Sequence, residues 1–568
     1  MTFIQKQNMK YSYKTYEDPY QEGAPWPCMR GDIKNSGRLR DLQWKGKSNT
    51  ATDVVHFRTG NAIFSTPIID AQERIFVGSA DHFFYAFDPN QRKELWRYDA
   101  GEIIDCAGCI DKENTVYIAT GCSKIHAFTP EGIEKWTYNN LINRRKEQFT
   151  FSSNFWYEAN IVLGPDGAVY VANDDFFLYK MTREGELMWG YRTGFMVWSA
   201  SSFWKDGTVY SAGFDHILYA LDMNSGRLKW KTDLHGALVG SPAISEDGII
   251  YQTSFNGNIY ALQCQNGAVL WEFKTGSHIY ASPAISLDDI LYFGSTNGTF
   301  YALEGKTGKI KWTYYIGDPI RASASIGPDP EAIVPYLIYF GGGDGRVYAL
   351  EPNGNLRWSY DTLSRARNTD YPNINASVAL GTYGLCVAGS TGDVVYIPYD
   401  AYQRDSEKGF ESGVGKQTEE IGVFWHYVVP GGSLRREPLK ENIQDIDPTT
   451  IITLRLILHE EAGLLPVFLK PKSIKIDTHP QFKHRIEIQS DSVTMNIIPN
   501  SILETDTDYT LKIRGKYLSP HSQTKSCQST LRFKTRNPPQ MASILSSENK
   551  TFRIVHMAVP QPAIVPSL

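Results

Sequence analysis

The sequence predicts an all-β chain whose larger part is an eight-bladed β-propeller closed by an N-terminal strand. Three observations predict it. A tryptophan recurs at Trp96, Trp136, Trp189, Trp230, Trp271, Trp312 and Trp358, with 41 residues the commonest spacing. A short aromatic-Ala-aliphatic segment recurs eight times, its ring falling at Tyr85, His126, Tyr179, Tyr219, Tyr260, Tyr301, Tyr348 and Tyr396. Between these segments lie Asp-Gly and Asn-Gly pairs at turn spacing.

Each copy resolves into four short strands. In the fifth they are expected at Val239–Ile244, Ile249–Ser254, Asn258–Leu262 and Ala268–Lys274. Asp247-Gly248, Asn256-Gly257 and Asn266-Gly267 separate them, as tight hairpins require. Four antiparallel strands in about 41 residues make a propeller blade. One such sheet cannot bury both of its faces, so the copies must stack. The tryptophans fall in the outer strand, where one indole per blade wedged between neighbouring sheets is worth roughly 2–3 kcal/mol by area. Gly226, Gly267 and Gly308 read as turn formers.

Closure is expected from the two ends of the repeat array. The eighth copy passes Tyr396 and then loses its fourth strand and its tryptophan. Ahead of the first copy lies an orphan β-segment, Asp53–Gly60 (DVVHFRTG), whose ending matches Phe273–Gly276 of WEFKTG. It is expected to supply the missing outer strand, with Val55 where the tryptophan would stand, and so to remove exposed strand edges.

Composition narrows the function. Lys plus Arg is 57 and Asp plus Glu is 62, a net charge of −5, which gives no basic footprint for nucleic acid. No run of 18 apolar residues reads as a membrane span. The first 23 residues lack the apolar core and cleavage site of a secretory leader, so the expected compartment is cytoplasmic. The seven cysteines are scattered and odd in number, which argues against a disulfide framework. The expected organisation is an N-terminal extension packing on the propeller (1–52), the propeller (53–400), a linker (401–420), a second β-domain (421–536) and a loose tail or the start of a further domain (537–568).

The repeat resembles the tryptophan-docking repeat of pyrroloquinoline-quinone (PQQ) type propellers. The residues that carry the likeness are Ser241-Pro242, Tyr260-Ala261-Leu262, Gly267 and Trp271. The opening PWPCMRGDIKNSGR, Pro25 to Arg38, is similar to the WPMFRGD…NTGR start of such chains. That family includes quinoprotein dehydrogenases, an outer-membrane assembly lipoprotein and many propellers without a known cofactor, so the likeness implies a fold and leaves the activity open. Further on, SDSVTMNIIPNSILETDTDYTLKIRGKYL resembles the bacterial Ig-like domain of surface-layer proteins, through Pro499, Leu503, Tyr509 and Thr510. It implies an Ig-like β-sandwich with strands at Thr450–Leu458, Arg485–Gln489, Ser492–Ile498, Asp508–Arg514 and Thr530–Thr535. It also implies a cell-surface or envelope location, the alternative to the cytoplasm.

A quinoprotein enzyme implies a catalytic Asp, a calcium shell of carboxylate and amide, an aromatic floor under the quinone and often adjacent cysteines. The sequence has no Cys-Cys pair and no Cys-x-x-Cys-His. Calcium prefers six to eight oxygens. The starts of the innermost strands align Phe64, Asp105, Glu158, Trp198, Val239, Tyr280, Arg321 and Ile374 around one rim of the channel. Asp105, Glu158, Trp198, Tyr280 and Arg321 make that rim a mixed acidic, aromatic and basic binding mouth. Val239 and Tyr280 stand where an amide ligand and the catalytic Asp would be wanted.

Two insertions break the compact period, 139–156 and 362–375. They carry Phe151, Trp156, Arg365, Arg367 and Tyr371, and they join an outer strand to the next inner one, on the face of the rim. Long loops on a rigid scaffold commonly carry binding, and aromatics beside Arg are enriched at protein interfaces. Cys106 and Cys109 have metal or redox spacing, but Cys109 takes the small core position held by Ala243 and Ala284, so it reads as a structural thiol. The expected function is therefore non-enzymatic: a binding or scaffold protein that engages a protein or carbohydrate through the loop-bearing face. It needs no cofactor, catalytic residue or metal, and has possible envelope association. The alternative is a PQQ- and calcium-dependent alcohol or sugar dehydrogenase, with Glu158 and Asp105 toward calcium, Trp198 stacking and Arg321 near the quinone.

Overall fold

In the computed structural model, side chains are described for residues 17–47, 53–140, 156–362, 373–404, 409–410 and 477–481. Backbone strands alone are described at 4–5, 411–412 and between 421 and 535. Eight antiparallel sheets follow one another along the chain. The first runs Ile68–Ile69, Ile75–Gly78, Phe83–Asp88 and Lys93–Asp99, from inner to outer strand, and the others begin at Cys109, Val162, Ser202, Ala243, Ala284, Ser325 and Ala379. This is an all-β, eight-bladed propeller. A β-bulge in the third-to-fourth strand pairing recurs beside the tryptophan, as between Ala261 and Leu262 opposite Trp271. It gives the outer strand its extra twist.

The inner strands are shorter than expected. In the fifth blade only Ala243–Ile244 pairs in the ladder. Pro242 has no N–H to give, and the N–H of Ser241 goes elsewhere, to Ser282 Oγ of the next blade at 2.8 Å. The same relay recurs around the ring. Ala107 N donates to Asn160 Oδ1, Ala200 N to Ser241 Oγ, Ser282 N to Ser323 Oγ and Ser377 N to Thr66 Oγ1, at 2.8, 2.9, 2.8 and 3.1 Å. The last of these bonds joins blade eight to blade one.

The tryptophans join neighbouring blades by a second device. The indole N–H of Trp96, Trp136, Trp189, Trp230, Trp271 and Trp312 donates to a carbonyl in the next blade's third-to-fourth turn, that of Pro130, Arg183, Met223, Cys264, Gly305 and Pro352. Each ring lies on a turn glycine. At Gly226 (φ +67°) an added Cβ would sit 2.8 Å from Cδ2 of Trp189, so only glycine fits. Trp358 faces blade eight, where the chain leaves after Tyr399, and its buried N–H finds no acceptor. It is covered by Tyr402 and Phe410 instead.

The N-terminal segment serves seven of the eight blades. The last inner-strand residues donate their N–H groups to it. Ile69 gives to Trp26 O, Ile110 to Pro27 O, Phe203 to Ile33 O, Ile244 to Lys34 O, Ile285 to Ser36 O and Ile326 to Gly37 O, all at 2.8–2.9 Å. Leu163 N donates to Tyr20 Oη. The free edge of an inner strand faces the axis of a propeller. A segment that collects these donors in turn therefore lies across the axis, at the end of the channel away from the rim, and it satisfies edges that would otherwise stay unpaired.

Segments outside the repeats also add strands to blades. Val55–Arg58 pairs antiparallel with Asp393–Pro398, Val55 opposite Tyr396. Phe410–Ser412, within the stretch expected to be a linker, pairs with the outer strand of blade seven, and Ile4–Gln5 with that of blade three. Beyond them the backbone forms two further sheets. One holds Ile421–Val428, Ile451–Glu460, Thr494–Pro499 and His484–Ile488, with Gly463–Pro466 beside Ile451–Glu460. The other holds Ile443–Ile446, Thr524–Thr535, Asp508–Leu518 and Phe468–Leu469, with Lys475–His479 beside Asp508–Leu518. The strands at 421–428, 443–446, 463–469 and 475–479 carry no signal that the sequence reading used.

Candidate functional site

The rim residues sit in the connections that lead from one blade's outer strand to the next blade's inner strand. Each connection is pinned by a backbone bond from the second-to-third strand turn of its own blade. Asp174 N donates to Trp156 O, Phe214 N to Met196 O, Phe255 N to Ala237 O and Thr296 N to His278 O, at 2.8–3.0 Å. These blades therefore present two side chains at the mouth, one from the connection and one from the turn, whereas blades two and seven have glycine (Gly121, Gly343) at the turn position. The turn positions, Asp174, Phe214 and Phe255 among them, escape a reading that aligns inner strands only. A signal was available: each is the residue before an Asp or Asn that opens the turn (Asp175, Asp215, Asn256).

The register also corrects one rim residue. Ile374 donates its N–H to Gly342 O, as Ile320 does to Ser295 O and Leu238 to Gly213 O. These are the buried residues just before the rim, and Ile374 packs in the hydrophobic core. The eighth rim position belongs to Asn375, whose Oδ1 is buried without a partner.

Six consecutive blades contribute to one continuous arc. Trp198 donates its indole N–H to Asp174 Oδ1 at 3.0 Å and meets Phe214 edge-on with centroids 4.4 Å apart. Phe214 reaches Phe255 at 6.0 Å, and Phe255 lies 4.4 Å from Tyr280. The Arg321 guanidinium covers the Tyr280 ring at 5.6 Å, a cation–π contact that holds it over the mouth. At the acidic end, Asp105 and Glu158 join Asp174. Phe64 is 46% exposed on the same face. Trp156 is 37% exposed and Phe195 43% exposed, the latter stacked on Phe176 at 5.2 Å. Phe151, Arg365, Arg367 and Tyr371 lie outside the described residues.

The three carboxyls share one electrostatic problem. Burial raises Asp105 to about 6, with Oδ1 left unpartnered. Burial raises Glu158 to about 7, helped by the neighbouring charges of Asp174 and Asp105. Asp174 rises to about 6 by burial, against the opposing hydrogen bond from Trp198. Their folded-state pKa values exceed the unfolded ones, so the folded chain holds more protons between about pH 4 and 7, and stability falls as pH rises through that window. Glu158→Gln is expected to stabilise the chain at pH 8 by about 1 kcal/mol, after discounting for solvent screening. It should change little at pH 5. Urea unfolding at both pH values checks this.

The fit of a calcium–quinone pair was tested on these residues. Among the described residues no three His, Cys, Asp or Glu side chains come together as a group able to hold a metal ion. Beyond Trp198 the aligned rim positions are Val239 and Tyr280, which offer neither an amide nor a carboxylate. Among the described residues the donor set does not fill a calcium shell of six to eight oxygens. Cys106 and Cys109 are both fully buried, and burial pushes the Cys106 thiol up to about 12, so neither offers a thiolate.

The repeats define a PQQ-like β-propeller. A family model described as outer membrane protein assembly factor BamB matches residues 179–323 and 214–416. Among solved structures, BamB from Moraxella catarrhalis is 17% identical, covering 61% of this chain and 99% of that one at a TM-score of 0.49. A quinohemoprotein alcohol dehydrogenase from Comamonas testosteroni is 12% identical over 70% of this chain and 83% of that one, at 0.53. A europium-containing methanol dehydrogenase is 11% identical over 66% and 98%, at 0.52. At such identities the two dehydrogenases speak for the fold alone. No curated protein matches the sequence. Among the described residues no helix is long and apolar enough to cross a membrane.

Proposed function

We propose that the chain is a non-enzymatic binding protein whose rim face engages a protein or carbohydrate partner. The observation that carries this reading is the unbroken arc from Asp105, Glu158 and Asp174 through Trp198, Phe214, Phe255 and Tyr280 to Arg321. Aromatic faces stack on sugar rings or apolar side chains, while carboxyls at one end and a guanidinium at the other fix orientation. Trp156 extends the surface, and Phe151, Arg365, Arg367 and Tyr371 of the two inserted loops are the further residues that this reading assigns to the partner. In this reading Val55–Arg58 is the clasp of the disc. The Ig-like strands of 421–536 are a spacer that sets the disc's distance from an envelope or an assembly.

The competing reading is a PQQ- and calcium-dependent alcohol or sugar dehydrogenase, favoured by the order Glu158, Trp198, Arg321. One experiment separates them. The full chain is applied to an array of defined oligosaccharides and peptides, and in parallel incubated with PQQ, calcium, alcohols or sugars, and an artificial electron acceptor. Selective binding that Trp198→Ala abolishes, with no dye reduction, supports the binding reading. Saturable dye reduction overturns it.

A further inference from the structure

We propose that Arg30 holds a small monovalent anion at the closed end of the central channel. This inference stands apart from the rim and its partner. Arg30 belongs to the N-terminal segment that lies across the axis, and it is fully buried. Only Nη2 is engaged, donating to Pro283 O at 3.3 Å; Nε and Nη1 are buried and have no partner.

No carboxylate pairs with it among the described residues. Asp32, the nearest acidic neighbour, is committed to Lys34 N at 2.9 Å, Ser36 N at 3.0 Å and Ser36 Oγ at 2.5 Å. Burial lowers the Arg30 pKa only to about 10, so the group stays charged at neutral pH. Asp32 acts on the guanidinium only through space and makes no bond to it, and a buried cation with two idle donors is disfavoured unless something satisfies them. The fold has gone to some length to put it there. Gly37 (φ +64°) forms the bed of the guanidinium, and a Cβ at that position would fall 2.0 Å from Nη2.

Asn35 spends its amide protons on the carbonyls of Ala200, Ser201 and Pro242, so these oxygens are turned toward donors from the segment. Ser241, Ser282 and Ser323 each accept a backbone N–H. Ser282 directly precedes Pro283, whose carbonyl accepts from Arg30.

The test uses the full chain. Crystals soaked in sodium bromide are expected to show an anomalous peak in contact with Nε or Nη1 of Arg30. A water there, with no anomalous signal, overturns the proposal. In solution, replacing gluconate by chloride at constant ionic strength is expected to raise the unfolding midpoint by a few °C, on the order expected for a ligand well above its Kd. Arg30→Met should abolish that dependence. A midpoint that ignores chloride, or a chloride effect that persists in Arg30→Met, contradicts the site. Should Arg30→Met fail to fold, the bromide crystals and the wild-type titration decide.

Discussion

Phe57→Ala is expected to destabilise the propeller by about 3–5 kcal/mol, the range for truncating a buried aromatic. Phe57 lies on Val55–Arg58, is 8% exposed and stacks on Phe87 of blade one with centroids 4.6 Å apart. Its strand is hydrogen-bonded to blade eight, so one side chain serves two blades from opposite ends of the repeat array. The loss therefore exceeds that of a core position within one blade. Because the clasp would free a whole blade edge, the variant is also expected to unfold with a lower denaturant slope or in two steps. Urea unfolding followed by tryptophan fluorescence and by circular dichroism reads both effects. A variant within 1 kcal/mol of wild type, with one transition of unchanged slope, would show that these four residues do not act as a clasp.

Trp189→Ala is expected to cost a similar 3–5 kcal/mol. The indole is 1% exposed, donates to Met223 O at 3.1 Å, meets Tyr170 edge-on at 5.9 Å and rests on Gly226. Truncation opens a cavity between blades three and four and leaves the Met223 carbonyl short of one donor. The more exposed Trp230, with the same hydrogen bond to Cys264 O at 3.0 Å, should lose less when truncated. The ordering of the two in thermal unfolding checks the docking account. Equal losses would mean that the hydrogen bond, and not the burial, sets the cost.

The blades were legible because their information is local and repeated. Trp271, Asn256-Gly257 and Tyr260 lie within one period, and each states a turn or a pairing that needs nothing from elsewhere in the chain. The rim was half legible. Asp105, Glu158, Trp198, Tyr280 and Arg321 follow from aligning inner strands, and five of the six blades in the arc bring these residues into it. Phe214, Phe255 and Asp174 come from a different turn, so an inner-strand alignment passes over them. Asn375 stands two before Ser377, as Val239 stands two before Ser241, so the same spacing places it on the rim in place of its neighbour Ile374. For Pro25 to Arg38 the sequence predicts packing on the propeller but names none of the strands it partners. Its residues partner strands up to about 290 positions away, such as Ile326, and no local rule names such partners.

The reading of the rim as the docking face is tested most directly by affinity. For a ligand selected from the array, titration calorimetry is compared for the wild type, Trp198→Ala and Lys306→Ala, the last on the opposite face. The account predicts a loss of at least about 30-fold for Trp198→Ala, the scale of a central aromatic anchor, and less than about 2-fold for Lys306→Ala. Unchanged affinity in a folded Trp198→Ala protein, or a loss confined to Lys306→Ala, would contradict it.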